Sequence, residues 1–414
     1  MSRAKKKREV PMEIEAPCAL YGSCGGCRIL GLPYDKQLKM KADLVKGLLS
    51  DVCGEDEIND IWEGVIPSPD QLEYRNKMEL SFGDEVKDGP LTLGMHAMGS
   101  FYTVHSAAGC MLVSADFRAV IAATEAYFRE KEIGIFNKMR HTGYLRHLLV
   151  RQSKYSGEVL VDLVTSSDVS AFAERISETE LLRGWMEAVL SSCEKVSGIL
   201  HTHNDALADA VIDQGTDTLY GNAYITEELL GLKFKITPFS FFQTNSRGAE
   251  VLYQKVREYV MDGNDSGDLG TEVYDLYCGT GTITQIIAPA AGHMTGVEIV
   301  EEAVEAAKEN AALNGLTNCD FVAGDVLKVL DDLEKKPDYI ILDPPRDGVN
   351  PKALFKILIY DVSSLVYVSC KPQSLARDIP FFKEKGYRLT RVSCCDMFPQ
   401  TLNIETIALL QKNS

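Results

Sequence analysis

The sequence of 414 residues has no apolar run that approaches the roughly 20 residues of a membrane span. Its N-terminal stretch, MSRAKKKREV, is basic but lacks the apolar core of a secretory signal, so we expect a cytoplasmic protein with no membrane partner. Positive charge is not in excess either: the net charge of −17 argues against bulk electrostatic binding of nucleic acid. A local basic surface stays open, formed by KKKR or by Lys138, Arg140, Arg146 and Arg151.

Cysteine, in contrast, is plentiful. Eleven cysteines in a cytoplasmic chain indicate metal ligation, catalysis or packing rather than disulfides. The content of 45% hydrophobic and 25% charged residues is typical of a globular protein, and the length predicts two or three domains.

The second half of the chain alternates strand and helix patterns. Near-continuous apolar strands occur in EVYDLYC, HMTGVEI, CDFVAGDV, DYIILDPP and SLVYVSC, and helical segments such as EEAVEAAKENAALNG separate them. Apolar strands alternating with helices predict a parallel sheet covered on both faces. We therefore place a doubly wound α/β domain at residues 236–414.

The first half of the chain has a different sequence pattern. Alternating patches such as YRNKMELSFG and LTLGMHAMGSFYTVH, with glycine turns between them, predict antiparallel hairpins. We divide this half into a basic tail at 1–16, a cysteine-bearing segment with a helix at 17–61, and a mainly antiparallel α+β central domain at 62–235.

The turn in DLYCGTGTI places Gly279 and Gly281 after a strand and before a helix, where a ligand can approach the backbone closely. The third glycine of the fingerprint G-x-G-x-x-G is missing. Glu298 ends the second strand, where a carboxylate can accept both ribose hydroxyls, and Asp325 ends the third, where an adenine amine would lie. These groups predict a nucleoside cofactor and leave NAD and S-adenosylmethionine both open.

Three candidate reactive groups lie at the ends of the later strands or within them. ILDPPR ends the fourth strand with Asp343 and two prolines, a rigid ledge that suits an aromatic ring. The fifth strand delivers Cys370 to the same edge of the sheet. Glu405 lies inside a further strand pattern, NIETIALL, where it is either a surface residue or a base.

DLYCGTG, ILDPPR, SCKP and DMFPQTLNIET, in this order and spacing, together with FSFFQTN, resemble the RNA (uracil-5-)-methyltransferase family. The resemblance covers nearly the whole chain. It implies a C-terminal Rossmann-like class I methyltransferase domain, S-adenosylmethionine as the methyl donor, Cys370 as the nucleophile and Glu405 as the general base. It also implies a set of residues that contact the donor or lie beside the target base: Gln243, Tyr277, Thr282, Glu298, Asp325 and Asp343. With the turn glycines Gly279 and Gly281, these form the candidate cofactor site.

The chemistry of this family explains the residue types. Carbon 5 of uracil becomes nucleophilic only after a thiolate adds to carbon 6 and forms an enolate. A base must then remove the carbon 5 proton so that the cysteine can leave. Because a free cysteine has a pKa of about 8.5, we expect a neighbouring cation, Lys371 or Arg346, to favour the thiolate. The target uridine must be single-stranded or flipped out.

CALYGSCGGC holds Cys18, Cys24 and Cys27, and Cys110 is a distant fourth cysteine. Their spacing fits a [4Fe–4S] cluster or a structural zinc ion. The ribosomal RNA branch of the resembled family carries a cluster with this pattern, so the resemblance implies iron–sulfur in a structural role. Such members often begin with a small RNA-binding β-barrel; about 17 residues precede Cys18 here, so we expect the central domain to bind the RNA.

We therefore expect a monomeric, S-adenosylmethionine-dependent enzyme that makes 5-methyluridine in RNA, with 23S ribosomal RNA as the first choice of substrate. Transfer RNA is the alternative substrate. Cytosine-5 and exocyclic-amine methylation fit the DPPR and SCKP motifs less well. From a different class, an iron–sulfur NAD-linked oxidoreductase would require a third glycine in the cofactor turn.

Overall fold

A computed structural model describes residues 10–208, 210–262, 272–333 and 335–412. The KKKR run lies outside the described residues. Within the described ranges, no helix combines the length and the apolar character needed to cross a membrane.

The strands, in chain order, are β1 (Trp62–Ile66), β2 (Lys77–Asp84), β3 (Leu91–His96), β4 (Val104–Ser106), β5 (Leu145–Gln152), β6 (Val159–Thr165), β7 (Val196–His203), β8 (Thr216–Gly221), β9 (Ile225–Leu229), β10 (Leu232–Ile236), β11 (Val273–Leu276), β12 (Met294–Glu298), β13 (Cys319–Ala323), β14 (Tyr339–Leu342), β15 (Ser364–Ser369), β16 (Tyr387–Cys395) and β17 (Glu405–Lys412). The α-helices are α1 (Tyr34–Cys53), α2 (Glu55–Ile61), α3 (Ala115–Glu130), α4 (Glu178–Ser192), α5 (Ser246–Val260), α6 (Thr282–Ile287), α7 (Glu301–Leu313), α8 (Val326–Val329), α9 (Pro351–Ile359) and α10 (Pro372–Glu384).

The chain divides into two compact units whose boundaries differ from those that the sequence suggests. The first unit comprises Met1–Pro33, Gln71–Glu227 and Lys235–Phe239, and the second comprises Tyr34–Asp70, Glu228–Phe234 and Ser240–Ser414. The segment that we predicted at 17–61 is thus split, because its helices group with the α/β unit, whereas Cys18, Cys24 and Cys27 group with the other unit.

The second unit contains an eight-stranded sheet in the order β1-β16-β17-β15-β14-β11-β12-β13. The five strands from β11 to β15 run parallel, and the helices between them occur where the sequence predicts them. The predicted doubly wound α/β domain is confirmed. The strand order reverses between β11 and β14, which is the point where open α/β sheets bind ligands beyond the carboxyl ends of their strands.

Helix α1 belongs to this unit because one of its faces is apolar. Val45 and Leu49, four residues apart, are fully buried in the same core as strand β14 and helix α9. On the same face, Lys41 Nζ donates to Asp396 Oδ1 at 2.5 Å in a buried ion pair. Strand β1, which we had assigned to the central domain, pairs parallel with β16.

The first unit contains a seven-stranded sheet in the order β4-β3-β2-β5-β6-β7-β8. Its pairs are antiparallel except β6 with β7, which are parallel and joined through helix α4. The core of this unit includes Phe128 and Trp185, whose rings stack with centroids 6.2 Å apart. The mainly antiparallel α+β prediction is confirmed.

The predicted basic surface of this unit is only half correct. Lys138 and Arg140 lie partly or fully exposed. Arg146 and Arg151 are 4% and 1% exposed, and they donate to backbone carbonyls of residues 204, 206, 208 and 238. Both arginines therefore bind the chain itself rather than presenting charge to a partner.

Candidate active site

The candidate site residues of the α/β unit follow the carboxyl ends of its parallel strands. Tyr277 follows β11, Glu298 ends β12, and Asp325 follows β13 by two residues. Asp343 follows β14 and Cys370 follows β15. Because parallel strands end at the same edge of a sheet, these side chains lie along one edge.

Cys370 and Glu405 come together through an antiparallel pairing that the sequence does not reveal. Strand β17 pairs with β15, and Ser369 lies opposite Thr406. One residue further, Cys370 directly follows β15 and Glu405 begins β17. The thiol and the carboxyl group therefore come near each other at the strand ends, where the charge of Glu405 acts on Cys370. Glu405 is 3% exposed, whereas Cys370 is half-buried. Glu405 is therefore not a surface residue.

The glycine turn requires glycine for a steric reason. Gly281 has φ +72, and a Cβ atom there would lie 2.5 Å from Cε1 of Phe321. Gly279 has φ +55, and its N–H donates to Glu298 Oε2 at 3.1 Å. Thr282 is buried at the start of α6. The absence of a side chain at Gly281 thus allows the turn to pack closely against Phe321.

Two acids sit beside this turn in different environments. Oε1 of Glu298 accepts from the N–H groups of Ile299 and Val300 at 2.9 and 3.0 Å, so backbone donors fix the carboxylate. Asp325 is exposed at the N-cap of α8 and accepts from Leu327 N–H at 2.9 Å. A fixed carboxylate and an exposed acid on adjacent strand ends can accept hydrogen bonds from a ribose and an adenine amine.

The electrostatics around Cys370 disfavour its thiolate. Burial, followed by the charges of Glu405 and Asp343, raises the pKa of Cys370 to about 11, and Arg346 opposes this rise. We had expected Arg346 or Lys371 to favour the thiolate. Arg346 does lower the pKa of Cys370, but burial and the two carboxyl groups together outweigh it.

Burial also raises the pKa of Glu405 to about 7, and Arg346 acts in the opposite direction. A carboxyl group with this pKa is partly ionised at neutral pH and can both accept and release a proton. Burial, Glu405 and Asp275 together raise the pKa of Asp343 well above its usual range.

Two residues near this centre have no signal in the sequence. Tyr253 on α5 is buried, lies near Asp343 and Glu405, and hydrogen-bonds Gln243, which positions that amide. Asp275, inside β11, accepts from Thr284 Oγ1 at 2.5 Å through one oxygen. Its other oxygen is buried and has no hydrogen-bond partner within the described chain.

The site fits a cationic ligand. Asp275, Asp343 and Glu405 all have raised pKa values, and burial comes first among the causes for each. A positively charged ligand favours the ionised form of neighbouring carboxyl groups and of a thiol. S-adenosylmethionine, which carries a sulfonium and an ammonium group, matches this set of acids.

The four candidate metal ligands lie in the first unit and act on one another electrostatically. Burial, followed by Cys110, Cys24 and Cys18, raises the pKa of Cys27 to about 12. Cys110 likewise has its pKa raised by burial and by Cys24 and Cys18. All four are half-buried free thiols. Cys110, although remote in sequence, is thus near enough to the other three for their charges to act on it; that the four hold a metal stays a prediction.

Comparison with known proteins decides the class of enzyme. Residues 268–405 match the family model described as a methyltransferase domain. An uncharacterized RNA methyltransferase of Clostridium tetani is 46% identical over 406 residues, which cover 98% of this chain and 85% of that protein. The chain belongs to the RNA methyltransferases. An uncharacterized RNA methyltransferase of Chlorobaculum tepidum is 35% identical over 420 residues, which cover 97% of this chain and 84% of that protein.

A solved structure extends the likeness over both units. The tRNA (uracil-54, C5)-methyltransferase of Pyrococcus abyssi, in complex with S-adenosyl-L-homocysteine, has a TM-score of 0.73 and 26% sequence identity. The match covers 94% of this chain and 86% of that one. This RNA methyltransferase therefore uses S-adenosylmethionine, and the NAD-linked alternative is not supported.

Proposed function

We propose that this RNA methyltransferase methylates carbon 5 of a uridine, with Cys370 as the nucleophile and Glu405 as the base. The pairing of β15 with β17 carries the proposal, because it sets a thiol opposite a buried carboxyl group at the edge where the cofactor groups lie. Methylation of an exocyclic amine needs no thiol there. The likeness to a uracil C5 methyltransferase of Pyrococcus abyssi supports the same chemistry.

The residues act in two stages. The Cys370 sulfur adds as a thiolate to carbon 6, and the ring becomes an enolate that attacks the methyl group through carbon 5. Bound S-adenosylmethionine supplies this methyl group together with a positive charge. Glu405 then takes the carbon 5 proton, and the carbon–sulfur bond breaks to release 5-methyluridine and the thiolate. A pKa of about 7 lets Glu405 accept that proton and pass it to water near neutral pH.

The high pKa of Cys370 has a mechanistic consequence. With a pKa of about 11, the free chain holds about one thiolate per ten thousand sites at pH 7. Arg346 lowers this pKa, and the positive charge of the donor acts in the same direction. We infer that the thiolate forms chiefly in the complex with the donor, so the cysteine stays protonated and unreactive until the donor is bound.

Two substitutions separate the two stages. Cys370→Ala removes the nucleophile, so we expect neither methyl transfer nor a covalent RNA adduct. Glu405→Gln can still add and methylate once but cannot remove the carbon 5 proton, so a covalent complex with methylated RNA accumulates. The complex is measured as a retarded band in a denaturing gel. Cys53→Ser, at a half-buried cysteine of α1, is the matched control and turns over normally.

Normal turnover of Glu405→Gln would mean that another group is the base. Absence of any adduct, in protein that still binds the donor, would mean that Glu405 acts before methylation. Either result overturns the assignment of Glu405.

The RNA class is proposed from two different observations. The cysteine pattern favours 23S ribosomal RNA, and the Pyrococcus abyssi neighbour acts on uracil 54 of tRNA. We propose 23S ribosomal RNA as the substrate and tRNA as the second candidate. Nucleoside mass spectrometry of separated ribosomal RNA and tRNA, from strains with and without the gene, identifies the fraction that loses 5-methyluridine. A loss confined to tRNA establishes the second candidate, and no loss in either fraction removes the uridine proposal.

We also propose that Cys18, Cys24, Cys27 and Cys110 hold a structural [4Fe–4S] cluster. Four thiolates around one zinc ion, at about 2.3 Å each, would hold the sulfur atoms about 3.8 Å apart. Among the described residues, no set of three cysteine sulfurs lies within 4.8 Å of one another. The support for the cluster is therefore the spacing of the cysteines and the resemblance to the ribosomal RNA branch. Iron and sulfide analysis of anaerobically purified protein tests this, and colourless protein with one zinc ion would refute it.

The cytoplasmic location and the monomeric state stay predictions from the sequence. Size-exclusion chromatography with light scattering measures the second of these directly.

A further inference from the structure

A cluster of metal-ligating side chains lies in the first unit, on strands that the methyltransferase chemistry does not use. His201 and His203 belong to β7 and Asp217 belongs to β8. One potential ligand atom from each of the three lies within 4.8 Å of the other two. Within the described chain, this is the one set of three histidine, cysteine or acidic residues that meets this distance.

The strand geometry places the three side chains on one face of the sheet. His201 and His203 are two residues apart, so they point to the same side of β7. His201 lies directly opposite Asp217 in the antiparallel pair of β7 with β8. The intervening Thr202 points to the other face, where its hydroxyl contacts Asp162 and Thr216. The convergence is thus fixed by backbone pairing rather than by flexible side chains.

The environment of His201 orients its ring. His201 is 2% exposed, and its Nε2 lies 2.8 Å from Thr165 Oγ1 and 3.5 Å from the hydroxyl of Tyr144. When Nε2–H donates to the Thr165 hydroxyl, the lone pair resides on Nδ1. Histidine ligands of metals commonly donate their second nitrogen in this way, which fixes the tautomer and the ring orientation.

The other two residues leave the site accessible. His203 Nε2 lies 3.5 Å from Asp217 Oδ2, longer than a good hydrogen bond, and their side chains are 37% and 74% exposed. The two imidazole rings are T-shaped with centroids 4.6 Å apart. A cation can therefore enter from solvent and bridge His203, Asp217 and the buried His201.

We propose that His201, His203 and Asp217 bind a divalent transition metal ion, with zinc as the preferred ion. Two imidazole nitrogens and one carboxylate oxygen are ligands that zinc accepts, with water in the fourth position. The ion ties β8, an exposed strand at the edge of the seven-stranded sheet, to β7. Its role is structural: it secures a strand that buries little surface of its own.

Cobalt(II) is the probe, because thiolate-to-cobalt charge-transfer absorption separates binding at cysteines from binding at imidazole and carboxylate. Full-length protein, with its cysteine site as isolated, should bind one equivalent of cobalt without thiolate bands, and zinc should displace it. His203→Ala and Asp217→Asn should lose this equivalent. His105→Ala, at another histidine paired with an acid, is the matched control and should retain it.

A second measurement tests the orientation of His201. Thr165→Val removes the hydroxyl partner of Nε2, so metal affinity should fall about 10–100-fold, and Thr165→Ser should restore it. Zinc should also slow amide hydrogen exchange in β7 and β8 of the wild type but not of Asp217→Asn. Asp217→Asn changes an exposed side chain, and an unaltered far-ultraviolet spectrum checks its fold. The proposal fails if cobalt binds only with thiolate bands, or if both ligand variants bind it as the wild type does.

Discussion

Replacing Glu405 with glutamine should stabilise the α/β unit at alkaline pH. Burial raises the pKa of Glu405 from its ordinary 4.5 to about 7, so ionising it in the folded chain is unfavourable. Between these two pH values the folded state binds more protons than the unfolded state, and stability therefore falls as pH rises through the window. At pH 8 the cost is fully present, about 3 kcal/mol at 1.36 kcal/mol per pH unit. At pH 5 it is below about 1 kcal/mol.

Glutamine has nearly the same shape and carries no charge, so it removes this cost. We expect Glu405→Gln to be more stable than the wild type by up to about 3 kcal/mol at pH 8, and the difference to shrink toward pH 5. The assay is urea unfolding followed by the fluorescence of Trp62, which packs beside the core of this unit. A Trp185→Phe background, shared by all variants, removes the only other tryptophan.

Glu384→Gln, at an exposed carboxylate on α10, is the matched control and should change stability little at either pH. If the free energy of unfolding of Glu405→Gln at pH 8 is no higher than that of the wild type, or if the difference does not depend on pH, then ionisation of Glu405 does not destabilise the folded chain. The account of its raised pKa, and of its suitability as a base, would then be wrong.

Two further predictions concern the same sheet edge. Gly281→Ala should lower donor affinity at least about tenfold, because its Cβ would clash with Phe321. Gly315→Ala, at a similar φ of +67 but in open space, should only destabilise the fold by about 1–2 kcal/mol of backbone strain. Calorimetry of donor binding compares the two variants, and equal affinities would refute the steric argument. Cys370 should react slowly with iodoacetamide at pH 8, where its pKa of about 11 leaves roughly one thiolate in a thousand. Glu405→Gln should speed this alkylation roughly tenfold, because it removes a neighbouring negative charge. Peptide mass spectrometry measures the rate, and an unchanged rate would contradict the electrostatic coupling of Glu405 to Cys370.

The sequence predicts those features that depend on local pattern. Apolar strands ending at Glu298 and Cys370 predict a parallel sheet, and the turn at Gly281 predicts a ligand at the edge of that sheet. Both are encoded within a few residues, because strand period and glycine conformation are local properties. The five parallel strands accordingly lie where their sequences predict them.

What the sequence does not reveal depends on long-range pairing. Glu405 could be assigned to the site only by resemblance, since its place beside Cys370 comes from two strands separated by a helix and another strand. Arg146 and Arg151 look like surface charges, but distant backbone carbonyls bind them in the interior. Asp217 becomes a neighbour of His201 only through the register of β8 on β7.

The insertion of β17 between β15 and β16 bears on how the enzyme matures. Of the strands in this sheet, β17 comes last along the chain, yet it fills an interior position and pairs with β15 on one side and β16 on the other. During synthesis, β15 and β16 emerge before the strand that joins them, so the sheet cannot close until β17 has emerged. Long-range pairings of this kind are slow to form. Because the same strand carries Glu405, a folding intermediate that lacks this closure also lacks the proposed base, and the capacity for turnover arises only with the final step of assembly.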